Sequence, residues 1–234
     1  MTLPTVACIM PTANRRDFVR RAVALFLAQD YPNKQLVIVE DGMDNCSDLI
    51  PQAKVGNSVI GHDHYGYTRR TIGEKRNVAC ELAEGADLIA HWDDDDWHSP
   101  RRISTQVNAM LARDPPARMC GNSCLVFLDD DANQAYLYRC GVKYPWLAGG
   151  TLMYERSLWR ELGGFGARSS GEDTLFVEAA ARVRTPMAIL DEPSLYVAML
   201  HGKNAEHRQR DSQWGGFDAN RAREWMLSDR GASR

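Results

Sequence analysis

A run of four consecutive carboxylates, residues 93–96, follows the apolar stretch 88–90 and is bracketed by Trp92 and Trp97. Four like charges in a row repel one another unless a cation joins them. Mg²⁺ and Mn²⁺ prefer carboxylate oxygen, and Mg²⁺ commonly uses only one or two protein carboxylates together with substrate phosphates. Because ligands of open α/β sheets bind at the carboxyl ends of strands, the run predicts a site for a metal ion and phosphate. A solvated acidic turn before the helix that Ser99 and Pro100 begin is the structural alternative.

The net charge of the protein gives it no overall attraction for polyanions. The 234 residues carry 28 basic and 31 acidic side chains, for a formal net charge of -3. We therefore expect no nucleic-acid partner. The six cysteines lie mostly in apolar segments and lack the paired short spacings of a zinc site, which indicates reduced thiols. We find no secretory signal and no apolar stretch of membrane-spanning length, and expect a cytoplasmic protein that is soluble or peripheral to a membrane.

Apolar runs of strand length alternate with helical patterns in the first half of the chain. The runs 6–10, 36–39, 59–61 and 88–91 are typical of strands that are buried on both faces. Asn14 is placed to cap the helix that follows the first run. A strand, a helix and a strand within about forty residues form a right-handed βαβ unit. The sequence therefore predicts an α/β fold with a Rossmann-like, mostly parallel central sheet flanked by helices.

Beyond residue 117 the pattern changes to shorter strands and turns. Strand patterns at 119–121, 124–128 and 135–138 surround a second acid run, 129–131, which we interpret as a hairpin turn. These strands predict a smaller antiparallel part beside the main sheet. The apolar segment 146–154 is expected to be a strand whose paired glycines let a ligand approach the backbone closely.

The remaining elements are expected to be mostly helical. Ser157 is placed to cap a short helix, and Gly171 introduces another that runs to Val183. Residues 187–190 form a last strand. After residue 205 we expect a lid-like loop around Trp214 and then a C-terminal helical tail.

Six short motifs occur in order between about Val6 and Asn204. They are Pro11-Thr12-x-Asn14-Arg15, Val39-Glu40-Asp41-Gly42, Arg76-Asn77, Asp93-x-Asp95-Asp96-x-x-x-Pro100, Gly163-Gly164-Phe165 and Gly171-Glu172-Asp173. Together they resemble the family-2 glycosyltransferases of GT-A fold. The resemblance implies a single GT-A domain at residues 1–204, with a nucleotide-binding half at 1–116 and an acceptor and catalytic half at 117–204. Residues 205–234 would be a C-terminal loop and helix extension.

The resemblance also implies a metal-dependent, inverting hexosyltransferase with Mn²⁺ or Mg²⁺ as cofactor. Such an enzyme moves a sugar from a nucleoside diphosphate, with a UDP-sugar favoured, to a hydroxyl group. The nucleotide-binding residues carried over from the family's motifs are Pro11, Thr12, Asn14, Arg15, Asp41, Arg76, Asp93 and Asp94. Asp41 would accept from the base, and Arg76 would reach the base or the diphosphate.

Metal ligands and catalytic acids follow from the same resemblance. Asp95 becomes the metal ligand of the DxD element. His201, in a His-x-x-Asn setting, is similar to a histidine that ligates metal in some relatives, and neutral imidazole suits Mn²⁺. Asp173 would be the base that takes the acceptor's proton, with Glu172 as the alternative if the register differs by one residue.

Three further residues are candidates for contacts with the sugars. Gly149 and Gly150 would face the donor sugar, and Trp146 would stack on a sugar ring, with core packing as the alternative for the tryptophan. The acceptor, whether glycan, lipid-linked or small molecule, and the oligomeric state stay open.

Two other functions remain. A nucleotidyltransferase of related fold would also join a metal ion to a nucleotide, although no Gly-rich, Lys-bearing phosphate loop lies near the N-terminus. A non-catalytic nucleotide-sugar binding module would retain Asp41 and Asp95 and show no turnover, and the Glu172-Asp173 pair argues against it.

Overall fold

Two sheets organise residues 3–50, 59–139, 146–202, 204 and 213–228, which are the residues described by this computed structural model. The strands are β1 Val6–Ala13, β2 Lys34–Asp41, β3 Val59–His64, β4 Leu88–His91, β5 Trp97–His98, β6 Met119–Asn122, β7 Cys124–Asp129, β8 Gln134–Arg139, β9 Met153–Glu155, β10 Met187–Leu190, β11 Tyr196–Leu200 and β12 Trp214–Phe217. The helices are α1 Arg16–Leu27, α2 Ile72–Leu82, α3 Arg102–Leu111, α4 Arg156–Glu161, α5 Glu172–Arg182 and α6 Ala219–Ser228.

The larger sheet has the strand order β10-β6-β9-β4-β1-β2-β3. Its strands pair in parallel except for β9, which runs antiparallel to both β4 and β6. In β1, Val6, Cys8 and Met10 pack in the cluster that includes α1 and α3. Ala7 and Ile9 pack in the opposite cluster, which includes α2 and α5. Burial on both faces explains the unbroken apolar run, and the predicted α/β fold with a mostly parallel sheet is confirmed.

The smaller sheet has the order β12-β8-β7-β11-β5 and is mostly antiparallel. One face packs on α6, and the other turns towards the larger sheet. The acid run 129–131 lies at the hairpin between β7 and β8, as predicted, and Asp129 Oδ1 accepts a hydrogen bond of 2.9 Å from the Ala132 N–H.

The prediction of a strand over 146–154 is wrong for most of that segment. Gly149–Thr151 form a 3-10 turn, and the strand β9 begins only at Met153. The Thr151 N–H bonds back to the Ala148 carbonyl at 2.9 Å, which folds the backbone into the turn. Period-2 patterning cannot separate such a turn from a strand, because glycine contributes no side chain to the pattern.

Asn14 does not cap α1, contrary to the prediction. The capping position is Arg15, which makes no side-chain capping bond. Asn14 has a positive φ of 53, and its Oδ1 accepts hydrogen bonds from the backbone N–H groups of Met43 at 2.7 Å and Asp44 at 3.2 Å. Asn14 therefore ties the end of β1 to the loop after β2.

Two later predictions also need correction. Helix α4 begins at Arg156, so Ser157 lies inside it, and its hydroxyl donates to Glu155 Oε2 at 3.2 Å instead of capping the helix. Trp214, expected in a lid-like loop, belongs to β12 and pairs with Tyr138 of β8. The rest of that loop, residues 205–212, lies outside the described residues, as does Cys140. The five described cysteines are buried and form no disulfide.

Within the described ranges, none of the helices has both the length and the apolar character that a bilayer crossing requires.

Candidate functional site

A cleft lies at the carboxyl ends of β1 and β4, between the larger and the smaller sheet. The predicted site residues that line it are Pro11, Arg15, Arg76, Asp93, Asp94, Asp95, Trp146, Gly149, Gly150, Glu172 and Asp173. Thr12 and His201 do not line the cleft, but they contact Asp94 and Asp95, respectively. Asn14 and Asp41 lie at the neighbouring ends of β1 and β2, beside the cleft.

The second and third acids of the run are held by residues at the end of β1. Asp94 accepts hydrogen bonds from Thr12 Oγ1 at 2.5 Å and from Arg15 Nη1 at 2.8 Å. Arg15 also donates to Asp95 Oδ2 at 2.9 Å. Burial and the neighbouring Asp95 raise the pKa of Asp94 to about 6, although Arg15 opposes the shift. The four acids therefore have different partners rather than acting as one uniform patch.

His201 faces the acid run from the end of β11. Its Nε2 lies 3.2 Å from Asp95 Oδ2, and its ring stacks on Phe18 with the centroids 4.8 Å apart. The side chain of Asn204 accepts a hydrogen bond of 2.6 Å from the His201 backbone N–H, so the His-x-x-Asn setting is a local turn. Burial lowers the pKa of His201, which keeps the imidazole neutral at pH 7.

Asp96 has a structural role that the sequence analysis did not assign to it. Its carboxylate accepts hydrogen bonds from the Tyr196 hydroxyl and, at 2.8 Å, from the Met199 N–H. Burial, followed by the charges of Asp95 and Asp93, raises the pKa of Asp96 well above its usual value. Asp96 thus fastens the acid run to β11. The length of the acid run could have predicted this role, because one small cation does not bind four adjacent carboxylates, so at least one of them must have another function.

Arg76 joins the acid run to the start of α5. Its guanidinium donates to Glu172 Oε1 and, at 3.1 Å, to Asp93 Oδ1. Although burial opposes its charge, Asp93 and Glu172 raise the pKa of Arg76. Arg76 is 4% exposed, and its guanidinium positions two carboxylates at the cleft.

Gly149 and Gly150 lie where no side chain fits. A Cβ on Gly149 would stand 1.4 Å from Asp173 Oδ2, and a Cβ on Gly150 would stand 2.1 Å from the Tyr196 hydroxyl oxygen. Asp173 Oδ1 in turn accepts a hydrogen bond of 2.7 Å from the Thr174 N–H. The glycine turn therefore packs directly against the Asp173 carboxylate.

Lys75 is a second residue that the sequence analysis missed. It donates to Asp41 Oδ1 and to the Thr12 carbonyl, both at 2.9 Å, and so ties the ends of β1 and β2 together. It lies on α2, which begins with a capping box between Thr71 and Glu74. That Thr-x-x-Glu spacing is a recognisable sequence signal for a helix start.

Behind the glycine turn, His91 is buried and holds the Gly149 carbonyl. Its Nδ1 lies 2.8 Å from that oxygen, and its Nε2 lies 3.4 Å from the Tyr154 hydroxyl. Burial, then the charge of Arg76, lowers the pKa of His91 well below its usual value. A histidine that stays neutral in the fold contributes stability above the unfolded pKa of about 6.5, and that stability is lost as the pH falls.

We expect a pH-dependent stability difference between the wild-type protein and a His91→Asn variant, in which the amide N–H still reaches the Gly149 carbonyl. The free energy of unfolding of the wild type, minus that of the variant, should fall by about 1.4 kcal/mol per pH unit below about pH 6.5. Urea unfolding at pH 7.5, 6.5 and 5.5 measures this difference. Taking the difference between the two proteins cancels the opposite pH dependence that the buried carboxylates give to both. If the two free energies of unfolding change in parallel with pH, the prediction is wrong.

The fold is that of the GT-A glycosyltransferases of known structure. Among solved structures, the chain is similar to S. aureus TarS 1-349 in complex with UDP-GlcNAc, with a TM-score of 0.68, 17% identity, and coverage of 86% of this chain and 60% of that one. It is also similar to the mannosyltransferase PcManGT from Pyrobaculum calidifontis in complex with GDP-Man and Mn²⁺, with a TM-score of 0.60, 19% identity, and coverage of 86% and 57%. At these identities the likeness concerns the fold.

The sequence comparisons point to glycosyltransferases. The sequence model of glycosyl transferase family 2 matches residues 7–117. An uncharacterised glycosyltransferase of Haemophilus influenzae is 27% identical over 152 residues, which are 63% of this chain and 57% of the relative. WcaA of Escherichia coli, named for colanic acid biosynthesis, is 32% identical over 105 residues, which are 43% of this chain and 36% of the relative. Together these matches support a family-2 glycosyltransferase, and the chain spans only part of the length of these relatives.

Proposed function

We propose that this protein transfers a sugar from a UDP-sugar to a hydroxyl acceptor, with inversion at the anomeric carbon and with Mn²⁺ or Mg²⁺ as cofactor. The observation that carries the proposal is the arrangement of Asp95 and Asp173, which line one cleft at the carboxyl ends of the parallel strands. Asp95 would hold the cation that binds the donor's phosphates. Asp173 would accept the proton of the acceptor hydroxyl at the same bound donor.

The residues at Asp95 fit a divalent ion. Asp95 Oδ2 and His201 Nε2 are 3.2 Å apart, and adjacent ligands of an octahedral ion with bonds of about 2.1 Å are about 3 Å apart. No group of three or more His, Cys, Asp or Glu residues in the described ranges is arranged to hold a metal ion. A site with two protein ligands leaves room for phosphate oxygens and water, as is usual for Mg²⁺. When bound, the ion would neutralise charge on the leaving diphosphate.

The strand ends supply groups for the nucleotide. Asp41 already accepts from Lys75 Nζ at 2.9 Å and from the Arg70 N–H at 2.6 Å. A carboxylate has about four lone-pair sites, so Asp41 retains capacity for the N–H of a uracil ring. Arg15, beside Asp94 and Asp95, carries a positive charge for the phosphates.

Asp173 is better placed than Glu172 to act as the base. Glu172 is 5% exposed and paired with Arg76, which commits it to holding the cleft together. Asp173 lines the cleft and is oriented by the Thr174 N–H. In the proposed step the acceptor oxygen bonds to the anomeric carbon, the bond from that carbon to the diphosphate oxygen breaks, and the hydroxyl proton passes to Asp173.

A melting-temperature screen tests the nucleotide and metal assignments. With UDP, GDP, CDP, dTDP and ADP, each with and without Mn²⁺ or Mg²⁺, we expect the largest rise for UDP with a divalent ion. Asp95→Asn should remove the metal-dependent part of the rise. Asp131→Asn, an exposed acid in the hairpin run, is the matched control and should keep it. An unchanged metal response in Asp95→Asn would overturn the metal site, and a larger response to another nucleotide would overturn UDP.

Turnover distinguishes the proposal from the two other functions. We expect slow hydrolysis of the nucleotide sugar in the absence of an acceptor, as transfer to water. Binding without any turnover would indicate a non-catalytic module. Cleavage of the nucleotide sugar by labelled pyrophosphate, with the label recovered in a nucleoside triphosphate and the sugar released as its 1-phosphate, would indicate a nucleotidyltransferase. Proton NMR of the first product formed reads the anomeric configuration and so tests inversion.

A further inference from the structure

One face of the smaller sheet is unusually aromatic and borders the cleft. Register places Phe127 opposite Tyr136, and Tyr138 opposite both Leu125 and Trp214. Directly paired residues share a face, so these side chains point to the same side of the sheet, away from α6. Leu125 and Phe127 of this face line the cleft.

We define the aromatic wall as Phe127, Tyr138, Trp146 and Trp214. The ring centroids of Phe127 and Trp214 are 4.6 Å apart, and those of Tyr138 lie 5.4 Å from both Trp146 and Trp214. Trp146 precedes the glycine turn by three residues and lines the same cleft as Asp173. The wall therefore runs from the cleft that Asp173 also lines to the edge strand β12.

Part of the wall is open. Trp146 and Trp214 are only half-buried, and the position of a Cβ on Gly216, which is opposite Tyr136 on this face, has no atom of the described residues within 4 Å. A glycine beside exposed ring surface leaves space for a flat group to lie against the rings. Core packing alone does not require this opening.

We propose that the aromatic wall is the acceptor subsite and that it takes a carbohydrate, with pyranose rings stacked on Trp146 and Trp214 and a hydroxyl presented to Asp173. This inference rests on the proposed function. Pyranose rings offer flat C–H faces for aromatic packing, and their hydroxyls bond at the polar edges that tyrosine and tryptophan supply. At the wall's edge, the Tyr138 hydroxyl donates to Gln213 Oε1 at 3.1 Å, which shows a polar rim rather than an aliphatic one.

A lipid chain is a poorer match for this face. Large apolar side chains that are exposed in the described part of the chain include Leu111, Leu175, Val183 and Ile189. They lie on α3, on α5, directly after α5 and on β10, and none of them belongs to the wall. An acyl or polyprenyl chain requires a contiguous apolar surface. The wall instead combines ring planes with hydroxyl and amide groups.

Saturation-transfer NMR on the protein loaded with UDP and the diamagnetic ion Mg²⁺ tests the ligand class directly. The compounds are methyl glycosides of glucose, galactose, mannose, N-acetylglucosamine and rhamnose, the disaccharides cellobiose and maltose, and the short lipid dihexanoyl phosphatidylcholine. We expect at least one saccharide to bind, with its ring C–H protons nearest to the protein. Binding of the lipid alone, or of nothing in the set, would overturn the proposal.

Variants then assign the subsite. For the best saccharide, Trp146→Ala and Trp214→Ala should each raise the acceptor KM roughly tenfold, as expected for the loss of about 1.4 kcal/mol of ring packing. Trp146→Phe should recover most of this loss, because it keeps an aromatic face. Trp225→Phe, on α6 behind the sheet, is the control and should leave KM unchanged. All variants should keep the rise in melting temperature with UDP and Mn²⁺.

The two levels of proposal fail in different ways. If the wild type turns over a nucleotide sugar and the acceptor KM of both alanine variants equals that of the wild type, the subsite is wrong and the transferase function stands. If the wild type turns over no nucleotide sugar, the proposed function fails, whatever the saccharide NMR shows.

Discussion

Replacing Asp173 by asparagine should lower kcat by about 10²- to 10⁴-fold, the range that general-base catalysis contributes, and leave the UDP-induced rise in melting temperature unchanged. Asparagine has nearly the same shape, and its amide oxygen still accepts from the Thr174 N–H, which is 2.7 Å from Asp173 Oδ1. It cannot take a proton from a hydroxyl. The measurement is release of UDP from the preferred donor, with and without an acceptor, over matched enzyme concentrations.

Two comparisons make this result specific. Asp17→Asn removes another acid from the first turn of a helix, α1, where its side chain is 95% exposed, and it should leave kcat unchanged. Glu172→Gln leaves Asp173 in place but weakens the pairing with Arg76. If Glu172→Gln abolishes turnover while Asp173→Asn keeps most of it, the base is Glu172 and the assignment made here is wrong.

The second large effect is expected from the smallest substitution, Gly149→Ala. The added methyl group would stand 1.4 Å from Asp173 Oδ2, so either the carboxylate or the glycine turn must move. A misplacement of about 1 Å in a catalytic group can cost about 10²-fold in rate, and we expect a loss of kcat of that order. Binding of UDP should persist, because the proposed nucleotide contacts Thr12 and Asp41 lie at the ends of β1 and β2 and not at the glycine turn.

Gly166→Ala is the matched control for this variant. It adds the same methyl group, and among the residues that the structure describes no atom lies within 4 Å of the new Cβ. Circular dichroism and the melting temperature check that both variants fold. Wild-type kcat in Gly149→Ala would show that the contact between the turn and Asp173 has no catalytic consequence, and the proposed placement of the base would have to be abandoned.

The fold class was accessible from the sequence because buried strands leave a local record. The apolar runs at β1, β2 and β4 are continuous since both faces of these strands are covered by helices. The acids that follow β4 were identified for a similar reason. A run of like charges at a strand end is unfavourable for stability unless it has a binding partner, so it indicates a site. The order of six weak motifs then indicated a family that the comparisons support.

The contacts that assemble the cleft were not accessible in this way. Arg76 meets Glu172 across 96 positions of sequence, Tyr196 meets Asp96 across 100, and neither pairing has a periodic signal. The glycine turn at 149–151 was predicted as a strand, since glycine is neutral in any pattern of apolar residues. The sequence by itself determined which residue types the strand ends would carry. Only the tertiary structure decided which of these residues are in contact. The distances between their side chains are set by the packing of elements that are far apart in sequence, and local sequence preferences do not encode them.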